Sequence, residues 1–111
     1  MTNLAIGTVV RCRQYRQGVA SAPRKGLVVD QGTIGEDPMV RVWFYAHGAP
    51  DESTMAWAKA EEITVLGGLN ALSLTTLQRI ARRMRGRLLL GGPGVLRDRL
   101  ARHLAHVRAA R

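Results

Sequence analysis

At 111 residues the chain has room for one domain of ordinary size, or for two small modules that must lean on each other to bury enough apolar surface. Hydrophobic residues at 46% and charged residues at 23% match a globular average and exclude a disordered polypeptide. The formal net charge of +9 is the unusual quantity, and it is unevenly placed. Before Leu72, seven basic residues (Arg11, Arg13, Arg16, Arg24, Lys25, Arg41 and Lys59) meet seven acids, so the first part is neutral. From Leu72 onward ten arginines against one acid, Asp98, account for the entire excess.

Residues 6–66 read as strands, with apolar and polar positions alternating between turn residues. "GTVVRCRQY" sets Thr8, Val10 and Cys12 against Val9, Arg11 and Arg13. "GLVVDQG" is a short β-branched run bounded by glycines, and "PMVRVWFY" places Val40, Val42 and Phe44 opposite Arg41, Trp43 and Tyr45. "EEITVL" supplies a last strand; Glu61 and Glu62 within it point to opposite faces and so make no acid/base pair. "SAPRK", "GTIGEDP" and "HGAPDES" are the intervening turns. Four or five short strands in this length predict a small, strongly bent antiparallel barrel. Cys12, the only cysteine, reads as a small core residue and leaves neither a disulfide nor a cysteine-rich zinc site to be formed.

"GGLNALS" ends the strand pattern and offers Ser73 or Asn70 as a helix cap. A helix is predicted to begin near Leu74, with Leu74, Leu77, Ile80, Ala81 and Met84 on its apolar side and Gln78, Arg79, Arg82, Arg83 and Arg85 around the rest. "RLLLGGPG" interrupts it, and Pro93 suits the first turn of a second helix, which turns Leu96, Leu100, Leu104 and Val107 inward. The organisation is therefore α+β: a barrel module over 1–66, a hinge over 67–73 and a basic helical pair over 74–111.

"GTVV", "GLVVDQG", "VRVWF" and Trp57 ahead of "EEITVL" together resemble SH3-like barrels of the Tudor and KOW type. The resemblance implies the fold more than an activity, since such barrels serve many functions. Tudor-type barrels can build an aromatic cage for methylated side chains, and Trp43, Tyr45 and Trp57 are the residues that resemblance nominates here. "LSLTTLQRIARRM" followed by "GGPGVLRDRLARHL" resembles the SAP motif, a helix-extended-helix unit that binds DNA.

Chemistry points the same way. Charge of one sign held on ordered helices calls for a polyanionic partner, and guanidinium groups match phosphate oxygens with a rigid fork of donors. Arg79, Arg82, Arg83, Arg85, Arg87 and Arg97 are the expected phosphate contacts; six of them predict a slope of log K against log salt of about −5. Trp43 and Tyr45, opposite Val40 and Val42, either pack under the helical module or meet a ligand; exposed, they or Trp57 would add stacking on unpaired bases. DNA is favoured over RNA, and backbone contacts over base readout, because Asn70 and Gln78 are poorly grouped for base edges.

No nucleophile, base and orienting group come together in the sequence, so no catalytic residue is expected. His103 and His106 lack further ligands for a metal, and no phosphate-cradling glycine loop with a lysine is present, so no cofactor is expected. The alternative is a small phage or mobile-element protein whose arginines dock on an acidic host protein or serve in assembly. Leu88, Leu89 and Leu90 need cover from the barrel, a second copy or a partner, which makes a homo-oligomer an open outcome. The N-terminal stretch carries no leader pattern and no window reaches the roughly 18 apolar residues of a membrane span. A cytoplasmic location is expected, or a virion-associated one if the chain is of phage origin.

Overall fold

The computed structural model describes residues 4–85 and 92–109. Seven strands precede two helices: β1 (Val9–Cys12), β2 (Tyr15–Arg16), β3 (Val19–Ala20), β4 (Arg24–Ile34), β5 (Asp37–Trp43), β6 (Met55–Lys59), β7 (Thr64–Gly67), α1 (Leu74–Met84) and α2 (Gly92–Ala109). Five strands form one antiparallel sheet in the order β6-β5-β4-β1-β7, and β2 and β3 make a separate hairpin. The fold is thus α+β, as the sequence pattern predicts.

The sheet is open rather than a closed barrel, which corrects the sequence reading. β6 pairs with β5 and β7 pairs with β1, so β6 and β7 are its two edges. A 3₁₀ turn at Ala60–Glu62 carries the chain from one edge to the other. The gap between them is a cleft of about 460 Å³ lined by Cys12, Ala58, Glu62 and Thr64, among others. That turn also takes Glu61 and Glu62 out of the expected strand and leaves both exposed.

Turn chemistry explains the strand lengths. "GTIGEDP", expected as a loop, is mostly strand: Ile34 pairs with Asp37, and only Gly35 and Glu36 turn. Gly35 has φ 63°, which suits a glycine at the first position of a two-residue hairpin. Gln17 and Gly18, with φ 50° and 79°, make the matching tight turn between β2 and β3. β6 escaped the sequence reading because "MAWAK" carries alanines at alternate positions, and alanine is a weak strand former.

Two cores lie on the two faces of the sheet. On one face Val10, Val28 and Val42 are fully buried with Leu4, Cys12, Val40, Phe44 and Ala58, without any contribution from the helices. An open sheet achieves that only by curling round its own side chains. On the other face Val9, Leu27, Val29, Trp43 and Tyr45 pack under Leu77, Ile80 and Met84 of α1 and Leu96, Leu100 and Leu104 of α2. Helices and sheet therefore share a core, and the helix pair is held in place by it.

The helix termini follow from local chemistry. Ser73 caps α1, its hydroxyl accepting from the Thr76 amide at 3.2 Å. α2 opens on Gly92 and Pro93. A Cβ on Gly92 would overlap the Val29 carbonyl oxygen and crowd the Asp30 Cβ, so the start of α2 rests directly on the β4 backbone. Only glycine permits that approach.

Candidate nucleic-acid interface

On α1 the buried residues Leu77, Ile80 and Met84 define the inward side. At about 100° per residue, Arg79 and Arg82 fall on the opposite side of the helix, one turn apart. Both are exposed, as is Arg85 at the C-cap. Arg97, in the second turn of α2, is also exposed. Among the described residues none of these four meets a protein acceptor, so their guanidinium donors face solvent. Arg87 lies outside the described residues, as does the 86–91 link between the two helices that carry the SAP resemblance.

Arg83 requires a correction. It is half-buried, and its guanidinium donates to the carbonyl oxygen of Tyr45, joining the end of α1 to the 3₁₀ turn Tyr45–His47 that follows β5. That bond commits part of the guanidinium to positioning the helix. Arg99, which the sequence reading did not single out, behaves likewise: its Nη1 donates to the Ile6 carbonyl at 2.9 Å and ties α2 to the loop ahead of β1. Nothing in the local spacing separates Arg99 from its neighbours, because its acceptor lies 93 residues away.

The α2 arginines do not share one face. Arg97 and Arg108 fall on one flank and Arg99 and Arg102 on the far one, as 100° steps require. The cationic surface is therefore the layer formed by the helix pair, with α1 as its most uniform part.

Of the three aromatic candidates, two are corrected. Trp43 is fully buried, its indole N–H donating to the Gly48 carbonyl at 3.0 Å, and it meets Tyr45 edge-on with ring centroids 6.3 Å apart. Tyr45 is buried beneath the helices, and burial pushes its phenol pKa up. The alternation was right about their face, but the helices cover it. Trp57 is 43% exposed on β6, directly opposite Arg41 on β5. Two aromatics in the core leave no multi-walled aromatic cage for a methylated side chain.

Other groups with chemical potential are arranged structurally. Cys12 sits in the curled core, where burial raises its thiol to about 11. Gln14 and Thr54, the buried polar residues, are both satisfied: Gln14 links Arg24 to the Ser53 carbonyl, and Thr54 bonds the Ala49 carbonyl at 2.6 Å. His103 is half-buried beside Arg99 along a groove of about 320 Å³, while His106 is exposed in the last turn of α2. Among the described residues no three His, Cys, Asp or Glu side chains gather as a metal site, and no helix is long and apolar enough to cross a membrane.

No curated protein and no solved structure matches the chain. One family model does, and it runs through sheet and helices alike. Matched over residues 1–110, the chain belongs to DUF6409, a family of unknown function.

Proposed function

We propose that this protein binds nucleic acid without catalysis, mainly through phosphate contacts from its helical layer, with DNA favoured over RNA. The observation that carries the reading is the exposure of Arg79, Arg82, Arg85 and Arg97 on helices whose other sides are locked into the sheet core. Cations on a fixed scaffold lose little entropy on meeting a polyanion, and each guanidinium presents a fork suited to phosphate. Arg83 and Arg99 serve this surface indirectly by pinning α1 and α2.

Setting Arg83 aside leaves five of the six expected contacts and lowers the expected salt slope to about −4.5. Titration of labelled oligonucleotides at two or more salt concentrations measures it. Replacing Arg79 and Arg82 together with Gln should weaken binding at least ten-fold, flatten the slope by about 2 and leave the melting temperature nearly unchanged. Arg83→Gln should do the reverse, costing roughly 2 kcal/mol of stability through the lost charged hydrogen bond while changing the slope little. An absence of binding at low salt would remove the reading and favour an acidic protein as the partner.

A further inference from the structure

We infer that the ligand of the helical layer is single-stranded nucleic acid, and that Trp57 stacks on one of its unpaired bases. This rests on the nucleic-acid reading above and narrows it to a substrate class.

Trp57 lies on the same face of the sheet as Trp43. The register runs Trp43 opposite Met55 and Arg41 opposite Trp57, so the two indoles are set apart along one face. Helices cover the first and stop short of the second, which remains 43% exposed. Its ring is supported all the same. Gly32 on β4 has no side chain, and the Cη2 end of the indole reaches across β5 to within 3.4 Å of where a Cβ would stand. A large aromatic surface is thus propped from beneath by backbone and open above, which suits a base and exacts little ordering cost on binding.

The surroundings place this platform beside the phosphate-binding layer. Gly92 seats the start of α2 on Val29 and Asp30, and the Arg83 bond to Tyr45 seats the end of α1 just beyond β5. Arg85 and Arg97 therefore stand near those helix ends. Asp30 pairs with Arg41, which pairs with Trp57 on the next strand. With strands about 4.8 Å apart, β6 is about 10 Å from β4, a gap that a few nucleotides span. Arg41 and Lys59 lie on the same face as the indole, Arg41 directly opposite it and Lys59 two residues on, and can meet the flanking phosphates. A duplex keeps its bases stacked inside and cannot use the indole, so the platform selects unpaired strands.

The test compares oligo(dT), oligo(U) and a duplex of equal length, using intact protein and its Trp57→Ala and Trp57→Phe variants. Single strands should bind more tightly than duplex. Trp57→Ala should lose about ten-fold or more on single strands, with no change on duplex or in the salt slope, and Trp57→Phe should recover most of the loss. The dT and U arms rank DNA against RNA. In the unaltered protein, single strands should quench the exposed indole while Trp43 stays silent, a readout independent of any variant's folding. Duplex binding equal to or tighter than single-strand binding, or binding indifferent to Trp57, overturns this inference and leaves the phosphate reading standing. Failure of every nucleic acid to bind overturns both.

Discussion

One face of one sheet carries two tryptophans with opposite fates. Under the helices, Trp43 is completely buried and its indole N–H is satisfied by a backbone carbonyl; beyond them, Trp57 keeps 43% of its surface. Residue type and strand alternation are the same for both. The difference is made by where two helices stop, and that is set by the glycine contact at Gly92 and the Arg83 bond. The covered region provides stability, and the bare region is the one proposed above for recognition.

The largest test of that contrast is a paired truncation. Trp43→Ala removes a filled volume beneath both helices and should cost about 4 kcal/mol, enough to unfold a marginal domain. Trp57→Ala should cost less, about 1–2 kcal/mol, since only part of its ring is buried against Gly32. Chemical denaturation of the two variants measures both. Equal losses would mean that the exposed indole is also core, and the division between the regions would fail.

Much of this was legible in the sequence. A helix start near Leu74, Ser73 as one of two candidate caps and Pro93 in the first turn of α2 agree with the structure, because caps and helical spacing are local signals. Leu77, Ile80 and Met84, then Leu96, Leu100 and Leu104, are buried as their periodicity required, whereas Leu74, Ala81 and Val107, also expected inward, are only half-buried. What could not be read depends on distant partners. The alternation in "PMVRVWFY" assigns Trp43 to its face and leaves two outcomes open, packing under the helices or meeting a ligand, of which the structure has the first. Arg83 looks like Arg82 until the carbonyl 38 residues away is in view. Barrel closure failed for a similar reason, since whether β6 meets β7 is decided by the path of a 3₁₀ turn whose sequence, "AEE", continues smoothly into a strand pattern.

A middle-sized effect probes what holds the boundary between the two regions. Gly92→Ala places a methyl group against the Val29 carbonyl, and the clash involves backbone that cannot rotate away. α2 must lift from β4, at an expected cost of about 2 kcal/mol. Helix propensity alone predicts the opposite sign, because alanine is favoured over glycine by up to about 1 kcal/mol within a helix. A thermal melt therefore separates the two accounts by direction. Stabilisation would show that the start of α2 is not seated on the strand, and with it would go the placement of Arg97 relative to Trp57.

The smallest effect concerns the second bare region, the seam between β6 and β7, and asks whether open also means loose. Cys12 lines that seam yet is 5% exposed, and its thiol is raised from 9.0 to about 11 by burial. The raised value means that the folded chain holds the proton more tightly than the unfolded one between those limits. Stability from this source is complete below about pH 9 and drains away as pH climbs towards 11, by about 1 kcal/mol near pH 10. Replacing Cys12 with Ala should remove that alkaline component while incurring a modest, pH-independent packing loss. Thiol chemistry gives a sharper reading at neutral pH, because the raised value leaves less thiolate and burial restricts access, so a thiol reagent should react more slowly than with the denatured chain. If the native thiol reacts at the denatured rate, the seam opens readily and the sheet edges part in solution. If it is protected, the curled core is closed without a closed barrel, and exposure in this fold is confined to the surfaces that the helices leave free.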